Sequence, residues 1–168
     1  MSFYSVDIVL WYYMNSIIKT FSWVVFSLST MLQAPQKLKF TKSFSRRCSE
    51  TLNVKASRFK LGNIGLLALQ SGRISAKHLE STRKFLRGIL RKDAKTWISV
   101  FPQLPITKKP QEVRMGKGKG SVKRWVFVAK KGQLLFETRS SNSRLAYAAL
   151  NSARVKLPIK SSVSENNV

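Results

Sequence analysis

The sequence predicts an α+β fold with a small, mainly antiparallel sheet and two helices. Short runs rich in β-branched and aromatic residues alternate with turn residues, which is typical of strands and hairpins. Two other segments carry apolar residues at helical spacing. The order along the chain is strand, helix, several strands with a hairpin, and helix, which favours an antiparallel arrangement.

The predicted core domain covers residues 59–160. It begins with a strand over 59–69 that is interrupted by a bulge or bend at its glycines, and a turn follows at 71–73. Ser75 has the side chain of a helix cap, and the apolar spacing after it predicts a helix over 76–92.

The middle of this domain reads as strands joined by short connections. Residues 96–101 form a predicted strand, and 112–115 a short strand that enters a glycine-rich loop. Residues 122–129 leave that loop as a strand, 130–133 carry a hairpin signal, and 134–137 form the return strand.

A second helix is predicted over 143–156, capped by Ser141 or Asn142 and followed by Pro158. Its many alanines suit close packing on a sheet. The remaining residues, 161–168, are polar and are expected to form a mobile tail.

The charge of the chain restricts its partners. Among 168 residues there are 31 Lys and Arg but only 7 Asp and Glu, a net charge of +24. Such charge favours a polyanionic partner, and nucleic acid is preferred over an anionic membrane because the cations are spread over the folded part. Cys48 and His78 are the single residues of their types, so most metal sites and catalytic triads lack parts. We therefore expect no enzyme activity, cofactor or small-molecule substrate.

Residues 1–30 are apolar, and Asp7 and Lys19 leave them with no net charge. They lack the basic start of a secretory signal and the arginines of a mitochondrial transit peptide. We predict a helical extension docked on a neighbouring protein. A membrane anchor is the alternative, in which case the chain would be a basic protein that binds anionic lipid.

Residues 31–58, which we call the basic arm, show no helical apolar stripe. Cations alternate with Leu38, Phe40 and Phe44, a pattern typical of segments that become ordered on RNA. The alternative is a flexible, solvated tail. The candidate RNA-binding residues of the arm are Lys37, Lys39, Lys42, Arg46 and Arg47.

A second basic segment, which we call the glycine loop, consists of Arg114, Met115, Gly116, Lys117, Gly118, Lys119 and Gly120. Glycine lets a foreign surface approach the backbone, and the cations suit phosphate, so all seven residues are RNA-binding candidates. If the loop is extended, Lys117 and Lys119 lie on the same side. The nucleotide-hydrolase and dinucleotide patterns are both absent, which leaves a solvated hairpin tip as the alternative. Further RNA-binding candidates nearby are Arg73, Lys123 and Arg124.

Three segments also carry a resemblance to a known family. They are Trp97-Ile98-Ser99-Val100-Phe101-Pro102, Pro105-Ile106-Thr107-Lys108-Lys109-Pro110 and Val113-Arg114-Met115-Gly116-Lys117-Gly118-Lys119-Gly120. They closely resemble large-subunit ribosomal protein sixteen of the bacterial type, the universal L-sixteen family. Weaker matches extend the resemblance to about residues 31–160.

The resemblance implies an α/β-hammerhead type of fold and a place in the large ribosomal subunit. The implied partners are rRNA near the peptidyl-transferase region, A-site tRNA and neighbouring ribosomal proteins. We expect the ribosomal proteins to be the docking partners of residues 1–30; if that segment is a membrane anchor, the chain would tether ribosomes to a membrane. The implied role is structural: support of tRNA positioning and late subunit assembly.

The chain also departs from the pattern of that family. Phe44-Ser45-Arg46-Arg47 lacks the glycine of the family's arm, an acidic turn is replaced by Thr138-Arg139-Ser140-Ser141, and residues 1–30 are extra. Together with the abundance of Lys, Phe, Ser and Asn, these departures favour a mitochondrial ribosome. A plastid or a bacterial cytoplasm is the alternative.

Overall fold

The computed structural model describes residues 33–45 and 47–166. In these ranges the chain forms two α-helices and seven strands arranged in two antiparallel sheets. This confirms the predicted α+β class, although the strands divide into two sheets where the sequence suggested one. Neither helix in the described ranges is long and apolar enough to cross a bilayer.

The larger sheet contains four strands. They are β1 (Ile64–Ala68), β3 (Ala94–Ile98), β6 (Leu134–Ser140) and β7 (Ser161–Glu165). Their order in the sheet is β3-β6-β1-β7, and every neighbouring pair is antiparallel. Leu66 of β1 lies at the centre, with Phe136 of β6 on one side and Val163 of β7 on the other.

The smaller sheet contains three strands, β2 (Gly72–Ser75), β4 (Leu104–Thr107) and β5 (Val122–Ala129). β5 is central and pairs antiparallel with both neighbours. β4 and β5 form a hairpin, and the glycine loop belongs to the long connection between them.

The two helices, α1 (Ala76–Leu90) and α2 (Ser143–Ala153), both begin at side-chain caps. The Ser75 hydroxyl accepts a hydrogen bond from the His78 N–H, which confirms the predicted cap, and Asn142 caps α2 through the Leu145 N–H. Short 3-10 helices occur at Val54–Ser57 in the arm and at Arg154–Lys156 after α2.

The core lies between the helices and the larger sheet. α2 packs on β1, β6 and β7, while α1 contacts α2, β3 and strands of the smaller sheet, so α1 joins the two sheets. The largest fully buried apolar side chains are Leu66, Ile74, Leu79, Leu86, Leu90, Leu135, Phe136 and Leu150.

Glu137 is a buried carboxylate in this apolar setting, with 2% of its surface exposed. Its Oε2 accepts hydrogen bonds from the consecutive backbone N–H groups of residues 60, 61 and 62, at 3.1, 2.8 and 3.0 Å. Its Oε1 accepts from the Ser99 hydroxyl at 3.0 Å. Burial alone would raise the pKa of Glu137, but these four donors outweigh it and lower the pKa, because they stabilise the charged form.

Four local predictions from the sequence are wrong. The expected turn at 71–73 overlaps β2, and no strand forms at 112–115. The strands on either side of 130–133 do not form the predicted hairpin, because β5 and β6 lie in different sheets. The strand before the glycine loop is β4. Pro105 lies within β4, and it is tolerated there because β4 is an edge strand that need not donate on its outer side.

The fourth wrong prediction concerns the C-terminus. Residues 161–165 were expected in a mobile tail but form β7, which pairs with β1 over its whole length. β7 consists mostly of serines, so its sequence has no apolar pattern that would predict a strand. The strand forms nevertheless because its backbone pairs with β1 at the edge of the sheet. The predicted role of residues 1–30, as a docked helix or as a membrane anchor, lies outside the described residues.

Candidate nucleic-acid interface

The glycine loop is presented at the end of the β4–β5 hairpin. The Lys108 N–H donates to the Ser121 carbonyl at 3.1 Å, which closes the base of the loop. Gly120 lies directly against that base: a Cβ on this residue would be 2.9 Å from the backbone of Lys108 and Lys109. The hairpin therefore holds the two ends of the loop together and leaves residues 111–119 exposed.

The tip of the loop is a left-handed turn and not the extended segment expected from the sequence. Gly116, Lys117 and Gly118 all have positive φ values, of 102°, 52° and 79°. The premise that Lys117 and Lys119 share a side of an extended strand is therefore wrong. Glycine suits two of these positions, and no atom lies within 4 Å of where a Cβ would sit on either.

Lys109 was not among the predicted site residues, yet it shapes this turn. Its ammonium donates to the Gly116 carbonyl across the loop. The sequence offered a signal, since Lys108 and Lys109 are adjacent cations in the segment that leads to the loop. Their role depended on the position of β4, which was not predicted.

The basic arm lies against the glycine loop and is joined to it by a reciprocal pair of hydrogen bonds. The Lys42 ammonium donates to the Lys119 carbonyl at 2.9 Å, and the Lys119 ammonium donates to the Ser43 carbonyl at 2.6 Å. The Lys119 ammonium also lies 5.4 Å from the centroid of the Phe44 ring. Two segments separated by about seventy residues therefore form one surface.

Two further contacts extend this surface along the smaller sheet. Arg73 of β2 donates to the Ser45 hydroxyl at 2.8 Å, and the Asn53 N–H donates to the Lys131 carbonyl in the β5–β6 turn at 2.9 Å. The arm thus runs from the glycine loop, past β2, to that turn. We call the described arm together with the glycine loop the arm–loop surface.

The structure places the remaining predicted residues as follows. Lys37, Lys39 and Arg47 are exposed on the arm, and Lys123 and Arg124 are exposed on β5 just after the loop. Arg114 is exposed at the start of the loop. Arg46 lies outside the described residues.

Aromatic and thioether side chains stand among these cations. Phe44 is 92% exposed and Met115 is 99% exposed, while the ring of Phe40 lies 5.6 Å from the Lys39 ammonium. Phe44 was noted in the sequence as an interleaved aromatic but was not selected as a site residue. Exposed rings beside cations suit RNA, because bases can stack on the rings while the cations meet phosphates.

The electrostatics of the surface follow from its composition. Neither 33–49 nor 113–131 contains an aspartate or glutamate. The ion pairs of Glu80 with Arg83 and Lys84 lie on α1 and do not involve the loop. The lysines that bridge the arm and the loop donate to carbonyl oxygens, which carry no net charge, so these hydrogen bonds add no negative charge to the surface.

Two glycine substitutions distinguish the closed base of the loop from its exposed tip. We expect Gly120→Ala to open the base of the loop, at a cost of about 1–3 kcal/mol for the steric conflict with Lys108. Gly118→Ala meets no atom and should carry only the local cost of a positive φ, about 1 kcal/mol. Hydrogen exchange of the Lys108 amide provides the measurement: protection should fall in the Gly120 variant alone. Equal loss in both variants would contradict the assigned geometry.

Comparison with known families accounts for most of the chain. The model of the family described as ribosomal protein L16p/L10e matches residues 35–164. The match includes the described arm from residue 35, the glycine loop, both sheets and nearly all of β7. The chain therefore belongs to the ribosomal protein L16p/L10e family, which makes it a structural, rRNA-binding constituent of the large ribosomal subunit.

Proposed function

We propose that the arm–loop surface binds large-subunit rRNA near the peptidyl-transferase region and that the glycine loop supports the position of A-site tRNA. The observation that carries this proposal is a pair of hydrogen bonds between the arm and the loop: Lys42 donates to the Lys119 carbonyl, and Lys119 donates to the Ser43 carbonyl. These two bonds join the two segments into one cationic surface. The surface would also contribute to late assembly of the subunit by fixing rRNA against the folded domain.

The physical basis is the release of counterions from RNA. Each lysine or arginine that neutralises a phosphate displaces condensed cations, so affinity falls as salt concentration rises. The left-handed turn at Gly116–Gly118 brings backbone close to any partner, since no side chain shields two of its three residues. The surface therefore combines charge with a bare backbone that a folded RNA can approach.

The test is the double variant Lys117→Ala and Lys119→Ala, compared with Lys130→Ala and Lys131→Ala. Each double variant removes two exposed cations, the second pair from the β5–β6 turn. We expect the loop variant to weaken binding to large-subunit rRNA by about tenfold or more and to reduce the slope of log affinity against log salt by about 1–2. Gradient sedimentation should show fewer mature subunits.

The control pair should have a smaller effect on both measurements and should leave occupancy of the A site normal. Equal effects of the two double variants would assign the binding to net charge alone. Normal rRNA affinity, subunit maturation and tRNA accommodation in the loop variant would overturn the proposed role of the glycine loop.

We further infer that the ribosome concerned is mitochondrial. The supporting observations are the departures from the bacterial pattern at 44–47 and 138–141 and the abundance of Lys, Phe, Ser and Asn. Recovery of the chain with the large subunit from purified mitochondria is the expected result, and recovery only with plastid or cytoplasmic ribosomes would refute it.

A further inference from the structure

A cleft opens at the end of α2, and the residues that line it are separate in sequence from the arm–loop surface. It has a volume of about 780 Å³ and is lined by apolar residues from the β1–β2 connection and from the segment between α2 and β7. Its apolar walls are Leu69, Val155, Leu157 and Ile159. The volume lies within the range of about 300–1,000 Å³ that is usual for pockets that bind small organic groups.

These walls combine a rigid floor with an exposed rim. Leu157 and Ile159 are buried, and Ile159 packs so closely on Gly72 that a Cβ there would be 2.5 Å from its Cγ2. Val155, in contrast, is 85% exposed on the short 3-10 helix, and Leu69 is half exposed. Exposed apolar side chains over a packed floor are typical of a surface that receives a partner.

The polar groups of the cleft have one sign of charge. Arg154 and Lys160 line it together with neutral residues, and no acidic residue lines it. The Arg154 guanidinium donates to the Asn151 Oδ1 at 2.8 Å, which orients it while leaving other N–H groups to donate. The partner must therefore join an apolar, flat or compact group to a negative charge.

We propose that this cleft holds one unstacked nucleotide of the large-subunit rRNA. Its base would lie on Val155 and Leu69, and its phosphate would pair with Arg154 and Lys160. A nucleotide joins an apolar, hydrogen-bonding base to an anion, which is the combination that the cleft requires. The proposal rests on the rRNA-binding function and adds a second, base-accepting site to it.

The test uses the full chain and two single-stranded RNA probes. One is hexauridylate that contains 4-thiouridine, and the other is an abasic hexamer with the same phosphates. We expect ultraviolet cross-links from the first probe to map to residues 155–160 as well as to the arm–loop surface, and we expect it to bind more tightly than the abasic hexamer. Val155→Ser should weaken hexauridylate binding about fivefold and leave the abasic hexamer within twofold.

A substitution that adds an aromatic surface should act in the opposite direction. Val155→Trp should tighten hexauridylate binding, because bases stack on indole. Ala148→Trp is the matched control, since residue 148 is exposed on α2 outside the cleft. The proposal is overturned if the two tryptophan variants behave alike, if Val155→Ser has no effect, or if no cross-link maps to 155–160.

The two proposals fail in distinguishable ways. Loss of the proposed function of the glycine loop would appear in the variants of Lys117 and Lys119, which leave the cleft unchanged. Loss of the base site would appear in the variants of Val155, which leave the arm–loop surface unchanged.

Discussion

Replacement of Glu137 by Gln will lower the free energy of unfolding by about 2–3 kcal/mol at neutral pH. The carboxylate accepts four hydrogen bonds, three of them from consecutive backbone N–H groups of residues 60–62. A glutamine can place its oxygen on the three backbone N–H groups and its N–H₂ group on the Ser99 hydroxyl, which can accept. The loss arises because the three bonds from the backbone no longer end on a negative charge, and hydrogen bonds to a charged acceptor are the stronger ones. Urea denaturation followed by circular dichroism measures the loss.

The Glu137 carboxylate also makes the free energy of unfolding depend on pH, in a direction that its lowered pKa defines. Because the pKa of Glu137 is lower in the folded state than in the unfolded chain, its contribution is fully present above the unfolded value of about 4.3. It is lost as the pH falls through the lowered folded pKa. Stability of the native chain should therefore decline from about pH 5 downwards.

Glu112→Gln is the control, because it is the same substitution at an exposed position. It should alter stability by less than about 0.5 kcal/mol. The Glu137 variant should lose less stability than the native chain between about pH 5 and 3. An acid response that is unchanged by Glu137→Gln would show that the carboxylate does not contribute as described.

Phe136→Ala will cost about 3–5 kcal/mol, which for a domain of ordinary stability approaches complete unfolding. Phe136 has no exposed surface and stands on β6 between its partners Leu66 and Ile98. Removing its ring leaves a cavity that the paired backbones of three strands cannot close. The thermal transition should move down by many degrees or disappear.

Phe44→Ala makes the identical change on the arm–loop surface and provides the contrast. Its ring is almost fully exposed, so stability should change by less than about 0.5 kcal/mol. Its RNA affinity should nevertheless fall, because a stacking surface beside Lys119 is lost. A stable Phe136 variant would contradict the core, and unchanged RNA affinity of the Phe44 variant would contradict the stacking role.

Sequence periodicity predicted the elements in which buried and exposed side chains follow a regular period along the chain. The helix after Ser75 and strand β5 were predicted nearly to their ends, because their apolar residues follow a regular period. β6 begins where it was predicted but continues to Ser140, and it does not form the predicted hairpin with β5, because the two strands lie in different sheets. The division into two sheets could not be predicted in this way. Periodicity records which residues are buried, and it does not record which strand lies beside which.

The failures concern segments in which the backbone decides the structure. β4 contains a proline and β7 is mostly serine, so neither has the composition of a strand, and their positions at sheet edges explain why that composition is tolerated. The same holds for the candidate interface. Composition identified the arm and the loop, but their contact through Lys42 and Lys119 depends on tertiary structure alone.

The position of β7 constrains when the larger sheet can form during synthesis. Leu66 pairs with Val163, which follows it by 97 positions, so β1 has an unpaired edge until almost the whole described chain has left the exit tunnel. Contacts this distant in sequence slow folding, and an exposed strand edge invites intermolecular pairing. A newly made chain with a large excess of cations and an open sheet is therefore vulnerable until its final strand docks, and it needs either rapid completion or a chaperone during that interval.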